Sequence, residues 1–81
     1  MEENQMKILR LAQSHCVDGK ELDLADICKL SAPMTMMEVL EIIPILAAEG
    51  YIEVIEIDMC CGADYIVTGI TDKGSSFLSN S

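Results

Sequence analysis

The side chains able to do chemistry are four cysteines, one histidine and fourteen carboxylates. Cys60 and Cys61 are adjacent and followed by Gly62, with Met59 before them. Zinc sites generally take cysteines two to four residues apart, a spacing that brings both sulfurs to one ion. Neighbours in an extended strand point to opposite faces, so this pair does not read as a metal site. Cys28 and Cys16 fall at helical positions where small apolar side chains belong, and buried thiols act as small hydrophobes. His15 sits beside Cys16, but adjacent residues on a helix diverge and make a poor nucleophile–base pair. There is no phosphate-cradling glycine loop, metal-ligand constellation or nucleophile elbow. No catalytic residue, metal or cofactor is therefore expected, and the chain does not read as an enzyme.

The carboxylates speak through their number. Fourteen acidic residues face five basic ones, for a net charge of −9. The bases are Lys7, Arg10, Lys20, Lys29 and Lys73, and none lies between Leu30 and Asp72. That stretch carries Glu38, Glu41, Glu49, Glu53, Glu56, Asp58, Asp64 and Asp72. Nucleic acids are held largely by Lys and Arg on phosphates, and bases are read by Arg, Lys, Asn and Gln. This charge disfavours DNA and suits a basic or neutral partner. The chain is 81 residues long, enough for one domain, yet 51% of it is apolar. A domain of this size cannot hide so much apolar surface, which points to self-association or a protein partner. No apolar run is long enough for a bilayer, and Met-Glu-Glu-Asn-Gln has no signal-peptide character. A cytoplasmic protein with free thiols, away from membranes, is expected.

Local signals set out the elements that must carry these residues. Ile8, Leu9, Leu11 and Ala12 recur at helical spacing from Glu2 to about Cys16, and Gly19 breaks the pattern. Glu21-Leu22-Asp23 can form a short strand, and Asp23 can cap a helix running to Leu30. Pro33 stops that helix. Thr35 and Glu38 then have the spacing of a capping box for a third helix, from Met36 to Glu49, with Gly50 as its left-handed cap. Pro44 inside it removes a backbone donor, so a kink or break near Ile43 is expected. Tyr51 to Asp58 and Asp64 to Thr68 read as two strands joined by Met59 to Ala63. The alternation slips between Val54 and Ile55, which suggests a bulge or a strand covered on both faces. Ile70-Thr71-Asp72-Lys73-Gly74 starts a last short helical turn, with Phe77 and Leu78 available to fold back on the core.

Helix, helix-turn-helix, then hairpin resembles the winged-helix superfamily. Two stretches carry the likeness: Leu46-Ala47-Ala48-Glu49-Gly50-Tyr51-Ile52, similar to a recognition helix entering a wing strand, and Tyr65 through Gly74. The latter contains Ile70-Thr71-Asp72-Lys73-Gly74, similar to the Leu-Thr-x-x-Gly turn of many bacterial and archaeal winged-helix regulators. The resemblance implies an α+β winged helix of three helices, a two-stranded wing and a short C-terminal helical turn. It further implies that the third helix enters the DNA major groove. Thr35, Met37, Glu38, Glu41, Ile42 and Ile45 would then face outward, and Met36, Val39, Leu40, Ile43, Leu46 and Ala47 inward. Met59, Cys60, Cys61 and Gly62 would form the wing tip.

The outward set offers glutamates and apolar side chains instead of DNA-reading ones. The expected site is thus an interaction surface of Met34, Met37, Glu38, Glu41, Ile42 and Ile45, used for a protein partner or dimerisation. The alternative is a DNA-binding transcription regulator, expected to act as a dimer. A second alternative is a thiol or metal sensor at the wing tip. A winged-helix family associated with ferrous iron transport is similar in size and in having wing cysteines, but it carries additional spaced cysteines that this chain lacks.

Overall fold

The computed structural model describes residues 2–59 and 62–80, with Met59, Gly62 and Ala63 described by their backbone alone. The order is α1 (Glu3–His15), β1 (Leu22–Asp23), α2 (Leu24–Leu30), α3 (Met36–Ala48), β2 (Ile52–Met59), β3 (Gly62–Ile70) and α4 (Asp72–Ser79). This is an α+β domain of four helices and one three-stranded antiparallel sheet, in the order β1-β3-β2. The layout is fuller than expected. The short β1 joins the sheet beside β3, and the C-terminal turn is a helix of eight residues.

Capping chemistry sets most boundaries. Asp18 and Gly19 take left-handed φ values of 55° and 81° after α1, a region in which Asp is tolerated and Gly is unstrained. An Asp23 carboxylate oxygen accepts from the Asp26 amide at 2.8 Å and starts α2. Thr35 and Glu38 close the capping box on α3, with amide-to-side-chain distances of 3.2 and 3.1 Å in the two directions. At the other end Gly50 has φ 82°, its amide donates to the Ala47 carbonyl, and the Tyr51 amide donates to that of Leu46. These two bonds form a Schellman motif. Of the kink or break expected at Pro44, the break does not occur: α3 is continuous from Met36 to Ala48, as its capping signals implied. Pro44 cannot donate to the Leu40 carbonyl, but its neighbours hold the helix by burying Val39, Ile42, Ile43 and Leu46.

The hairpin contains a bulge, one step from the expected place and on the opposite strand. Glu53 pairs with Gly69 and Val54 with Val67, leaving Thr68 as the extra residue in β3. The Thr68 hydroxyl donates to the Glu53 carbonyl at 3.2 Å. β2 alternates between buried and exposed positions only as far as Ile55, and from Ile55 to Asp58 every residue is exposed. Ile52 is buried and Val54 half-buried, while Ile55 and Ile57 point outward and are exposed. The apparent slip in the sequence came from isoleucines on the outer face. The strands also close nearer the tip than expected, since Met59 pairs with Gly62. Cys60 and Cys61 lie outside the described residues.

One core joins the layers. Ile8, Leu9 and Ala12 of α1 meet Leu24 and Ile27 of α2, the inner arc of α3, and Leu22, Ile52 and Val67 of the sheet. The join between α3 and α4 explains the Thr-x-x-Gly segment. The Thr71 hydroxyl lies 2.5 Å from the Gly50 carbonyl and 3.0 Å from that of Tyr51, so its single proton serves one at a time. The same oxygen accepts from the Gly74 amide at 3.1 Å, capping α4. A Cβ on Gly74 would collide with the Tyr51 carbonyl and come within 2.8 Å of Ile70. Lys73 donates to the Glu49 carbonyl at 2.6 Å and lies 4.7 Å over the Tyr51 ring. It thus places a cation at the negative end of α3.

Loss of the Thr71 cap in T71A should cost about 1 kcal/mol. Gly74→Ala should cost about 1–3 kcal/mol, because backbone rather than a flexible side chain must give way. Urea unfolding monitored by circular dichroism checks both, with Gly74→Ala expected to be the more damaging.

Candidate functional site

α3 is apolar around most of its circumference, and packing decides which part shows. Val39, Ile42, Ile43 and Leu46 turn inward, with Leu40 and Ala47 half-buried at one margin. Met37, Glu41, Ile45 and Ala48 turn outward, with Pro44 half-buried among them. This inner arc is rotated by roughly a sixth of a turn from the one expected, at about 100° per residue. Two members of the expected surface are consequently core: Ile42 is 7% exposed and Met34 8%. Met34 fills the α2–α3 turn beneath the helix start and joins the core cluster. The reverse holds for Met36, assigned to the core by its spacing, which is 45% exposed in the first turn of α3. Its sulfur lies 3.5 Å from the Cys28 thiol.

Met37, Glu41 and Ile45 follow one another at four-residue intervals, which aligns them along one helix face. Met37 is 73% exposed, far more than a packed methionine, and Ile45 is 46% exposed. Ile45 also forms the rim of a groove of about 280 Å³ with Gln5, Leu46, Glu49, Tyr51 and Phe77. The Tyr51 and Phe77 rings meet edge to face, with centroids 5.4 Å apart. This groove was missed in the sequence because it unites α1, the end of α3 and α4. Phe77 was the one signal, as an isolated aromatic in a polar tail.

The carboxylates of α3 differ in freedom. Glu38 is held by the capping box and accepts from the Asn4 side-chain amide at 3.3 Å. Glu41 is exposed and has no hydrogen bond or ion pair to a described residue. Along the hairpin Glu53, Glu56 and Asp58 are exposed and Asp64 is half-buried. The bases lie elsewhere. Lys73 is occupied at the end of α3, and the Lys7 amine is 3.4 Å from the Ala32 carbonyl. Lys7 and Arg10 line a second, wider groove of about 500 Å³ along α1, with Glu3, Met6, Leu11, Ser14 and His15.

Cys16 donates its thiol proton to the Val67 carbonyl at 3.4 Å. Burial pushes this thiol above its ordinary pKa, the nearby Glu21 charge acts the same way, and a backbone hydrogen bond from Leu22 opposes them. Among the described residues no three of His, Cys, Asp and Glu group as metal ligands. Of the expected wing-tip residues, Cys60 and Cys61 lie outside the described residues, and Met59 and Gly62 are described by their backbone alone. No described helix is long and apolar enough to cross a membrane.

No family model matches the chain, and comparison with curated proteins also finds no match. Among solved structures it is similar to a candidate DNA-binding protein from Ralstonia eutropha JMP134, with 15% identity and a TM-score of 0.73. The alignment covers 99% of this chain and 95% of that one. At this identity the likeness concerns the fold alone.

Ile42→Asp should unfold the domain or cost about 3 kcal/mol or more, whereas Ile45→Asp should change stability by less than about 0.5 kcal/mol. Chemical denaturation separates the two. Cys16 should be alkylated more slowly in the folded chain than in urea at pH 7 to 8. Because its folded pKa is raised, stability should fall as pH climbs from the ordinary thiol range through the raised value. Alkylation followed by peptide mass spectrometry, with urea melts across that window, tests both expectations.

Proposed function

We propose that this domain is a protein-interaction module whose working surface is the outer face of α3, with the hairpin beside it as a second contact element. The observation that carries this reading is the pairing of Met37 and Ile45 with Glu41 between them, all exposed on the helix that would read DNA in a winged-helix regulator. Burying the two apolar side chains supplies affinity, and the carboxylate selects what may approach. Such a surface lacks the cations that phosphate binding needs and the amides or guanidinium groups that read bases. The acidic hairpin adds repulsion where a wing would lie along the DNA backbone.

The second reading is a DNA-binding regulator. It is favoured by the description of the Ralstonia protein and by Lys7 and Arg10, which share the groove along α1. In that reading DNA would have to be held from the α1 side, away from the hairpin carboxylates. The interaction reading requires fewer departures from the charge distribution. In both, the domain acts in the cytoplasm, with no catalytic role.

Fluorescence anisotropy of a labelled mixed-sequence duplex, titrated at low and moderate salt, decides between them. The interaction reading predicts no change up to high micromolar protein at either salt concentration. Micromolar binding that weakens steeply with salt, and is lost in a Lys7→Gln/Arg10→Gln variant, would replace it with the DNA reading.

A further inference from the structure

We infer that the outer face of α3 receives a basic amphipathic helix from a different protein, with a lysine or arginine between two apolar anchors, and that it does not pair with a second copy of this chain. The inference rests on the interaction reading above and specifies its partner. Met37 and Ile45 stand two turns apart, about 12 Å along the axis at 1.5 Å per residue. Ile45 borders the groove that Leu46, Tyr51 and Phe77 share with Gln5 and Glu49, so an apolar side chain seated beside Ile45 has carboxylate and amide groups at its edge. Exposed Met37 offers a flexible thioether that adapts to another. A partner helix meets both with apolar residues at i and i+8, or at i and i+7.

Charge identifies the residue between those anchors. Glu41 lies midway, and α3 contains no Lys or Arg to neutralise it. Glu38 and Glu49 stand along the same side, and Lys73 is committed to the Glu49 carbonyl and the Tyr51 ring. A cation with several donors suits this neighbourhood. A second copy does not. Two α3 helices crossing antiparallel about a two-fold axis, Met37 of each against Ile45 of the other, would place the two Glu41 carboxylates together at the centre. Each chain also brings a net charge of −9. Like charges juxtaposed at an interface oppose association, whereas a lysine or arginine there is attracted.

The test is an amide NMR titration of the full chain with two alanine-based helical peptides, identical except at one position. One carries Leu, Arg and Leu at four-residue spacing, and its twin has Glu in place of Arg. The Arg peptide should shift amides from Met37 to Ile45 and at Tyr51 and Phe77, and bind at least about tenfold more tightly than the twin. Glu41→Lys, an exposed change that leaves the fold intact, should abolish or reverse that preference. Equal affinity of the two peptides, or shifts confined to another face, would overturn the partner chemistry. So would a concentration-dependent dimer in sedimentation that Ile45→Asp dissolves, although that result keeps the interaction module itself. Salt-sensitive DNA binding, by contrast, would remove the module and this inference together.

Discussion

Everything about the site depends on how α3 is turned. The helix is apolar at most of its positions and can bury only one arc, so whatever fixes its rotation decides what the domain shows to the outside. Several fixed points converge on it. Thr35 and Glu38 anchor the start, and the Gly50 Schellman turn stops the end and directs the chain into β2. Thr71, Lys73 and Gly74 clasp that turn against α4. With both ends held, Val39, Ile42, Ile43 and Leu46 face α1 and the sheet, leaving Met37, Glu41 and Ile45 outward. Burying Ile42 offsets the backbone bond that Pro44 withholds, since a buried isoleucine is worth about 1.5–3 kcal/mol.

The parts legible in the sequence were those fixed by local chemistry. A capping carboxylate at Asp23, the Thr35–Glu38 box and the left-handed glycines at 19 and 50 each satisfy a need that lies within a few residues. The helix ends were therefore readable to within a residue or two. The rotation of α3 was not, because its periodicity hardly distinguishes one face from another. Met36, Met37, Leu40, Ile42 and Ile45 are all apolar, and only tertiary packing ranks them. Ile42 was assigned to the surface and Met36 to the core for this reason, Met34 is core because it fills the turn before the helix, and Met37, Glu41 and Ile45 are exposed. The bulge was misplaced by one step for a related reason. Outward isoleucines at 55 and 57 imitated a change of face, while the irregularity lay across the ladder at Thr68. The short strand at Leu22–Asp23 was readable, but its place beside β3 and the full length of α4 depend on pairing and packing with distant residues, of which Phe77 carried only a hint.

A shared fold does not fix what the surface binds. The similarity to the Ralstonia protein extends over nearly the whole chain at 15% identity, so the architecture is held by packing and caps that many sequences can satisfy. Surface residues are free of those constraints. Here α3 presents methionine, glutamate and isoleucine on its outer face, and the hairpin presents carboxylates. Phosphate would be repelled by this combination, whereas a cationic helix with apolar anchors would be attracted to it.

The rotation of α3 and the freedom of its outer face can be measured together. In a dilute sample labelled at the methionine methyl groups, a soluble paramagnetic agent relaxes each methyl in proportion to its exposure. The account predicts strong relaxation at Met37, less at Met36 and little at Met34. A protected Met37 beside a strongly relaxed Met34 would mean that α3 is turned differently, and the proposed surface would not exist.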